Sequence, residues 1–550
     1  MTTFTQILKQ TYAEAPERVA VHLLQNRQPD VPITYRALLH GAAGYAQAFE
    51  AAGIQPGEVA VLILQHGEAL LYAFWGAVLR GAIPAIMPFL TEKLSPDKYR
   101  QDLAALIDVT KPATIVTYPE FEGEVRAAMA AAMAATNACS VRAVVVSTAV
   151  QPAQTLDFAT LPGLARSHRA VLNQVECYGQ AIKLAPDDVV VSWLPLYHDM
   201  GLIASFVMPI LSRVTLVLMS PFDWVRAPYK LLQAVSHYKG TLSWLPNFAY
   251  NFCAQKIRDR DLAGIDLSSW RTLINCSEPT YWSSHHAFAE RFKSYGLHPE
   301  ALTTSYAMAE NTFAVTQSGM DGPVAVDEID QRALITERIA RPFTPSAQGE
   351  EASPTLKLLS SGHPLPNTRV RVLDKQFNDA PERHLGDIAL QSTCMLTGYY
   401  HRDDATAKAF HDGWYLTGDL GYWAEGQLYV TGRKKDLIIV GGKNVYPQDL
   451  ERLAADVPGV HPGRMVAFGV FSEEEGTEEV VIVAEVDTDD AEARQRIGDE
   501  IRQRIARGSD VTLRHAHIVG AHWLLKTSSG KTARGANRDK YLAEIVEQTD

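Results

Sequence analysis

The run Asp188-Val-Val-Val-Ser-Trp193 decides the fold class, because a short apolar stretch rich in β-branched residues is typical of a buried strand. Comparable runs occur on both sides of it, at Val59–Leu64, Ala143–Ser147, Val214–Met219 and Thr272–Asn275. Helical patterns separate these runs over roughly the first 430 residues. This alternation predicts an α/β fold built from layers of mostly parallel sheets.

Further along the chain, two runs predict a small β subdomain, Arg369–Asp374 and Asp387–Gln391. The last part of the sequence has a different pattern. There, strand-like Met465–Val470 and Glu479–Glu485 are followed by a helical pattern at Asp489–Arg507. This order predicts a compact α+β unit at the end of the chain.

Length and composition limit the kind of protein. At 550 residues the chain exceeds what one hydrophobic core serves, so we expect two domains, at residues 1–434 and 435–550. Hydrophobic residues at 47% and charged residues at 21% are typical of a soluble globular protein. The net charge of −12 argues against a nucleic-acid-binding surface, which needs clustered lysine and arginine.

Cysteine usage and apolar stretches favour a cytoplasmic protein. The five cysteines are widely spaced and form no C-x-x-C motif, which predicts reduced thiols. No signal peptide is predicted at the start of the sequence. The most apolar stretch, Val189–Leu211, is interrupted by His198-Asp199 and two prolines, so we predict no membrane span. The Ala-rich Ala127–Thr136 predicts a surface helix, and the polar Pro342–Pro354 an exposed loop.

Six short motifs carry the chemistry of the chain. They are Val191-Ser-Trp-Leu-Pro-Leu-Tyr-His-Asp-Met-Gly-Leu202, Asn275-Cys-Ser-Glu-Pro279, Ser305-Tyr-Ala-Met-Ala-Glu310, Trp414-Tyr-Leu-Thr-Gly-Asp419, Gly432-Arg-Lys-Lys-Asp-Leu-Ile438 and Lys526-Thr-Ser-Ser-Gly-Lys531. Together they resemble the adenylate-forming superfamily, which includes acyl-CoA ligases, fatty acyl-AMP ligases and luciferases. The resemblance runs from Ile33 to Lys531. It implies a large domain that binds AMP and an acyl group, and a small mobile domain that rotates against it.

The resemblance assigns nucleotide-binding roles to three of these motifs. Asp419 matches the residue that holds the ribose diol, and Arg433 matches a second contact to ribose or phosphate. Tyr306 matches the ring that stacks on adenine, with Ala307 in place of the usual glycine. Glu310 matches the residue that reaches Mg²⁺. For the aspartate and tyrosine motifs the alternatives are a turn aspartate and an ordinary core aromatic.

The wall of the adenine pocket and the acyl pocket are assigned in the same way. Ser277, Glu278 and Pro279 match the backbone that lines adenine, and Cys276 stands where relatives have a small residue. The resemblance places His198 between the acyl carbonyl and the incoming thiol. A structural histidine or a metal ligand is the alternative for His198, and no partnering His/Cys cluster supports a metal. Five residues are assigned to the acyl pocket, and plain core packing is the alternative for the last three: Trp193, Cys276, Trp244, Asn247 and Phe248.

The remaining assignments concern the C-terminal region. The resemblance makes Lys435 the hinge about which the small domain rotates between half-reactions. Gly441, Gly442 and Lys443 match the loop that lines the tunnel for the CoA arm, where missing side chains permit close approach. Lys531 matches the lysine that stabilises charge while the carboxylate attacks the α-phosphate.

One element of the family pattern is missing. Relatives have a loop of the type S-G-T-T-G-x-x-K, which holds the outer phosphates of ATP, just before the Ser-His-Arg stretch. Here Ala165-Arg166 runs directly into Ser167-His168-Arg169. The absence of this loop predicts impaired adenylation and argues against the use of ATP and Mg²⁺, while the second half-reaction does not need it.

The sequence therefore predicts an acyl-CoA ligase limited to thioesterification, in which acyl-AMP and CoA give acyl-CoA and AMP. It resembles the rare non-adenylating acyl-CoA ligases of bacterial natural-product pathways such as that of platensimycin. Acyl-AMP and CoA are then substrates, no cofactor is tightly bound, and a partner enzyme supplies the adenylate. Two alternatives stay open: a complete ATP-dependent acyl-CoA or acyl-AMP ligase whose loop is missing from this sequence, and a non-catalytic protein that binds acyl-adenylates.

Overall fold

The computed structural model describes residues 3–89, 96–136, 138–156, 168–344, 355–440, 443–455, 457–461, 463–472, 477–509, 511–527 and 531–549. The helices are α1 Phe4–Glu14, α2 Tyr35–Ala51, α3 Glu68–Arg80, α4 Pro96–Thr110, α5 Glu122–Thr136, α6 Arg169–Ala181, α7 Met208–Ser212, α8 Pro221–Arg226, α9 Tyr229–Tyr238, α10 Asn247–Lys256, α11 Trp282–Phe292, α12 Gln331–Thr336, α13 Asp403–Ala409, α14 Pro447–Ala455, α15 Ala491–Gly508 and α16 Arg534–Thr549. The strands are β1 Val19–Leu23, β2 Val31–Thr34, β3 Val59–Ile63, β4 Ile83–Ile86, β5 Thr114–Thr117, β6 Ala143–Val146, β7 Val189–Ser192, β8 Thr215–Leu218, β9 Leu242–Leu245, β10 Thr272–Asn275, β11 Leu302–Ala307, β12 Ala314–Gln317, β13 Val326–Asp330, β14 Thr355–Leu359, β15 His363–Pro364, β16 Thr368–Leu373, β17 Gly386–Ser392, β18 Phe410–His411, β19 Trp414–Ala424, β20 Gln427–Arg433, β21 Ile438–Val440, β22 Lys443–Val445, β23 Met465–Ser472, β24 Thr477–Glu485 and β25 Leu513–Val519.

The largest sheet has nine strands in the order β15-β12-β11-β10-β9-β7-β8-β1-β2. Its central strands, from β11 to β1, are parallel, and the outer strands β15, β12 and β2 pair antiparallel. All four residues of β9 and of β10 are buried. Strands covered on both faces read as continuous apolar runs, which is why the β7 and β10 segments were predictable.

A second sheet, β4-β3-β5-β6, is parallel throughout. Alternate residues of β3 face opposite layers. Val59, Val61 and Ile63 pack with α4 and α5, whereas Ala60 and Leu62 join the main core with α2 and α3. The expectation of α/β layers with mostly parallel sheets is therefore confirmed.

A smaller antiparallel sheet, β16-β17-β19-β18 with β20 against β19, forms the predicted β subdomain. It is built from the runs Arg369–Asp374 and Asp387–Gln391 and their neighbours. The predicted Ala-rich helix is the second part of α5, and Ala128 and Ala132 pack on the core beneath it.

The C-terminal region is a separate β-rich unit with the sheet β23-β24-β25. Val480 and Ile482 of β24 pack with α14 and α15 on one face. Val481 and Val483 pack with Tyr541 of α16 on the other. This two-sided core fits the predicted α+β unit, and the boundary between residues 434 and 435 stays a prediction.

Four predicted features fall wholly or partly outside the described residues. These are the junction at Ala165–Ser167, the glycines Gly441 and Gly442, the part of the polar loop beyond Thr344, and residues 528–530 of the Lys526–Lys531 motif. Among the helices that the structure does describe, none combines the length and the apolar character that a membrane span requires.

Candidate functional site

The predicted site residues gather along one edge of the nine-stranded sheet. The carboxyl ends of β11, β10, β9, β7 and β8 lie side by side in that order. The segments at or after these strand ends contain Tyr306, Ser277, Phe248 and Trp193. Because neighbouring strands are about 4.8 Å apart, residues far apart in sequence meet in one crevice, where α/β sheets bind their ligands.

One end of this crevice is a corner formed by Asp419, Arg433 and Tyr306. The register of β19 and β20 pairs Asp419 with Arg433, whose Nε lies 3.4 Å from Oδ1 of the aspartate. The Tyr306 hydroxyl donates a hydrogen bond to the other carboxylate oxygen. Burial raises the pKa of Asp419, while Tyr306 and Arg433 favour the ionised carboxylate. A buried carboxylate beside an exposed guanidinium suits a diol and a phosphate.

Glu310 lies just beyond Ala307, the last residue of β11. Its Oε1 accepts a hydrogen bond from the Tyr399 hydroxyl at 3.1 Å, and that hydroxyl lies 2.9 Å from the hydroxyl of Tyr415. The sequence suggested a Mg²⁺ contact here and missed both tyrosines. In the described part of the chain, no group of three His, Cys, Asp or Glu side chains is placed to hold a metal ion.

A strained turn follows Glu310. Thr312 has φ of 63° and ψ of −47°, and the Phe313 N–H donates to the Asn311 carbonyl at 2.7 Å. This is a γ-turn of the rare form, adopted here by a β-branched residue. The Thr312 hydroxyl secures it by donating to the Cys394 carbonyl at 2.7 Å. Such strain clusters at functional sites, and nothing in the sequence indicated it.

The wall of the crevice after β10, residues 276–279, lies between the end of β11 on one side and the end of β9 on the other. Ser277 has φ of 71°, and its carbonyl accepts a hydrogen bond from Nζ of Lys531. The next residue, Glu278, accepts the Phe248 backbone N–H on Oε1 at 2.5 Å. Burial raises the pKa of Glu278, opposed by the Phe248 N–H and by Lys531. Pro279 is exposed at the end of this wall.

Cys276 and His198 both contact Met200, and of these two only Cys276 is buried. The Cys276 thiol is fully buried, 3.1 Å from the Met200 sulfur, and burial raises its pKa to about 12, so it stays neutral. Nδ1 of His198 lies 2.7 Å from Oδ1 of Asp199. A π-helix, Met200–Val207, starts directly afterwards, and this rare geometry often marks functional sites.

Of the residues assigned to the acyl pocket, Trp193 and Phe248 pack against each other, whereas Trp244 and Asn247 bond to other buried side chains. Trp193 is 5% exposed and Phe248 is 38% exposed, and their rings pack edge to face. Trp244 is fully buried and donates its indole N–H to the Tyr178 hydroxyl at 2.8 Å, so it lies in the core. Asn247 is also buried, and its amide donates to Ser284 at 3.0 Å.

Beneath this wall lies a buried polar network that the sequence did not reveal. The Asn275 amide nitrogen lies 3.0 Å from Oδ1 of Asn247 and 3.1 Å from Nε2 of His285. The His285 ring stacks on Tyr250 with centroids 5.1 Å apart. Burial lowers the pKa of His285 to about 4. The network fixes the end of β10 and so the position of the wall.

The C-terminal assignments are only partly described. Lys435 is exposed in the short turn Lys434–Asp436, and its neighbour Lys434 pairs with Asp387 at 2.9 Å. Lys443 begins β22. The geometry thus brings Lys531 into the crevice and leaves Lys435 on the connection between β20 and β21.

Comparison with known proteins gives the following. The profile described as AMP-binding enzyme matches residues 161–400. A medium-chain-fatty-acid–[acyl-carrier-protein] ligase of Moorena producens is 30% identical, over 71% of this chain and 67% of that protein. A long-chain-fatty-acid–AMP ligase of Mycobacterium tuberculosis is 28% identical, over 94% of this chain and 93% of that protein. A solved structure from a study of fatty acyl-adenylate ligases of E. coli and L. pneumophila superposes with a TM-score of 0.88 at 26% identity, covering 100% of this chain and 99% of that one.

Proposed function

The chain belongs to the AMP-binding enzyme family, and on that premise we propose that it performs the thioester-forming half of an acyl-CoA ligase reaction: acyl-AMP and CoA give acyl-CoA and AMP. The observation that carries this proposal is the direct run of Ala165-Arg166 into Ser167-His168-Arg169, where a phosphate-binding loop is missing. It fits the non-adenylating acyl-CoA ligases of bacterial natural-product pathways of the platensimycin type.

The missing loop weakens only the first half-reaction. Each charge-assisted hydrogen bond to the outer phosphates of ATP contributes roughly 1.5–3 kcal/mol, so losing several of them removes most of the affinity for a triphosphate. No G-x-x-x-x-G-K motif elsewhere in the sequence replaces it. Acyl-AMP has neither outer phosphate, so its binding is unaffected by this loss.

The crevice has the parts that the second half-reaction requires. Asp419 and Arg433 hold the ribose and phosphate of the adenylate, and the Ser277 wall lines its base. We assign the Nδ1 proton of His198 to the side facing Asp199 Oδ1, 2.7 Å away, which leaves Nε2 as an acceptor for the thiol proton; in the structure the Met200 N–H also points at Nδ1, at 3.3 Å. The CoA sulfur then forms a bond to the acyl carbonyl carbon, the bond from that carbon to the phosphate oxygen breaks, and AMP leaves with the electron pair.

Access for CoA requires a change of domain arrangement. We assign residues 1–434 to the nucleotide and acyl domain and 435–550 to the mobile domain. Rotation about Lys435 withdraws Lys531 and brings Gly441 and Gly442 to the crevice, where they line the path of the CoA arm.

Supply of the adenylate falls to another enzyme. In this proposal no Mg²⁺ is required, because acyl-AMP lacks the outer phosphates that the ion accompanies, and Glu310 accepts a hydrogen bond from Tyr399. If a metal ion is used, Glu310 and the phosphates of the nucleotide are the groups that hold it. A partner adenylating enzyme in the same compartment, the cytoplasm, delivers acyl-AMP directly.

A second candidate is the complete ATP-dependent reaction. The contact of Lys531 with Ser277 favours it, since a lysine there is suited to stabilise charge at the α-phosphate. The names of the relatives also favour it, because they describe fatty-acid–AMP and acyl-carrier-protein ligases.

One experiment with two arms separates these candidates. The full chain is incubated with CoA and synthetic acyl-AMP, and separately with acid, ATP, Mg²⁺ and CoA, while acyl-CoA and acid-dependent ATP–pyrophosphate exchange are measured. We expect acyl-CoA in the first arm and no exchange in the second, with Asp419→Ala as the inactive control. Robust ATP–pyrophosphate exchange establishes the complete ATP-dependent reaction instead. Binding of acyl-AMP without formation of acyl-CoA establishes a non-catalytic binding protein.

A further inference from the structure

Two stacked indole rings lie near the carboxyl ends of β7 and β8. Trp193 follows β7, and Trp224 lies on the short helix α8 that follows β8. Their rings stack with centroids 3.6 Å apart and planes 4° from parallel. Trp193 is 5% exposed and Trp224 is fully buried, so the pair forms a solid wall at this end of the sheet edge.

Phenylalanine rings complete this wall. Phe248 packs edge to face on both indoles, with centroid distances of 6.2 Å to Trp193 and 6.1 Å to Trp224. Phe252 lies 5.3 Å from Trp224 on the same helix as Phe248. Perpendicular aromatic packing of this kind is favourable, and a close-packed cluster does not open without losing many contacts.

Phe248 is the most exposed member of this aromatic cluster. Its side chain is 38% exposed, and its backbone N–H is bound to Glu278, next to the Ser277 carbonyl that Lys531 contacts. Strands β10 and β7 are separated only by β9, so the wall at Ser277 and the indole at Trp193 are about 10 Å apart along the edge. A group lying between these two walls therefore has roughly 10 Å of space along the edge.

Ordinary core packing is the competing interpretation. The indole N–H groups of Trp193 and Trp224 have no hydrogen-bond partner among the described residues, but the same holds for Trp75 in the main core. Unpaired indole nitrogens therefore do not distinguish the two interpretations. The position of the pair at the sheet edge, behind a partly exposed Phe248 that is tied to the nucleotide wall, does distinguish them.

Resting on the function proposed above, we propose that the acyl site is a shallow pocket with aromatic walls, in which Trp224 sets the depth. It takes acids with one ring, or a few carbons, beyond the carboxyl group and excludes long straight chains. A planar ring packs against Phe248 without moving the tryptophans. A long chain reaches the wall and must displace a stacked, buried pair, which a hydrophobic pocket tolerates poorly.

Binding of non-hydrolysable N-acylsulfamoyl adenosines to the full chain tests this depth limit by calorimetry. We expect the phenylacetyl compound to bind at least tenfold more tightly than the dodecanoyl compound. In Trp224→Ala the dodecanoyl compound gains at least tenfold in affinity, while the phenylacetyl compound changes less than threefold. Trp224→Phe, which keeps a ring in place, is the matched control and retains most of the selectivity.

The wild-type comparison alone decides the matter if Trp224→Ala does not fold. Equal or tighter binding of the dodecanoyl compound to the wild type overturns the depth limit, as does failure of both compounds to bind. If the phenylacetyl compound is selected but phenylacetyl-AMP and CoA give no thioester, the proposed function fails and the depth limit stands.

Discussion

Nζ of Lys531 donates a hydrogen bond to the backbone carbonyl of Ser277, a residue 254 positions earlier in the chain. The contact places the end of the C-terminal region directly on the nucleotide wall. It is accompanied by a hydrogen bond from the Gln448 amide to the Thr431 carbonyl at 2.8 Å. The arrangement therefore presents Lys531 to the crevice, and under the proposed function these contacts break before CoA enters.

Lys531→Ala should leave thioester formation from preformed acyl-AMP within about threefold of wild type. The lysine serves adenylation, a step that the proposed reaction omits, and it must leave Ser277 before CoA enters. Rates with synthetic acyl-AMP and saturating CoA measure this. A loss of turnover beyond tenfold contradicts our assignment of Lys531 to the first half-reaction.

Lys435→Pro should block thioester formation and leave the affinity for acyl-AMP nearly unchanged. Proline fixes φ near −65°, whereas a hinge residue must change its backbone angles during rotation. Lys435→Ala is the matched control, since it removes the charge but keeps backbone freedom, and it should retain activity. Equal activity in the two variants places the hinge elsewhere.

Asp419→Ala should weaken binding of an acyl-AMP mimic by about 2–4 kcal/mol, because two ribose hydroxyls lose a charged acceptor. Calorimetry with an N-acylsulfamoyl adenosine measures the change. Tyr306→Phe keeps the ring and removes only the hydroxyl that donates to Asp419, so its effect should be smaller. An unchanged affinity in Asp419→Ala removes Asp419 from the site.

Insertion of an S-G-T-T-G-x-x-K loop between Ala165 and Ser167 should restore some acid-dependent ATP–pyrophosphate exchange. Lys531, Glu310 and Asp419 are all present at the crevice, so the phosphate contacts are the missing part. A loop of the same length made of glycine and serine without the lysine serves as control. Folded insertion variants without exchange indicate that other parts of the site have also diverged.

Acid should destabilise the protein partly through His285. Its pKa is about 4 in the folded protein against 6.5 for the free side chain, so the unfolded chain binds more protons between these values. Above about pH 6.5 the neutral His285 does not change the free energy of unfolding with pH. As the pH falls from 6.5 toward 4, that free energy decreases by up to roughly 1.4 kcal/mol per pH unit.

His285→Gln should therefore show a shallower fall in Tm between pH 7 and 4.5 than the wild type. The exposed His298, changed to Gln, is the control and should leave the slope unaltered. Parallel slopes for wild type and His285→Gln show that His285 does not control the acid response.

The sequence was informative where local pattern determines structure. The apolar runs of β7, β8 and β10 need burial on both faces, so the layers could be predicted from composition and spacing alone. The motif residues Asp419 and Arg433 could be placed together because they occupy adjacent strands of one hairpin. The resemblance to the family predicted that Tyr306 and Ser277 belong to the same site.

The remainder depends on contacts between distant segments. The bonds from Tyr306 to Asp419 and from Tyr399 to Glu310 join separate elements, and no local pattern encodes them. Trp244 matches a pocket position by motif but is fully buried on strand β9, where Tyr178 of helix α6 accepts its indole N–H. The strain at Thr312 follows from its turn, which the residue type disfavours.

The helix that bears Trp224, Pro221–Arg226, is only six residues long and lies between β8 and α9. Asp419 and Arg433, which we propose to hold the nucleotide, lie on β19 and β20 of the β subdomain. In these two proposals, the depth of the acyl pocket and the contacts to the nucleotide therefore depend on separate stretches of the sequence. If Trp224 sets that depth, a substitution in this one short helix changes the size of the accepted acid and leaves Asp419 and Arg433 unchanged.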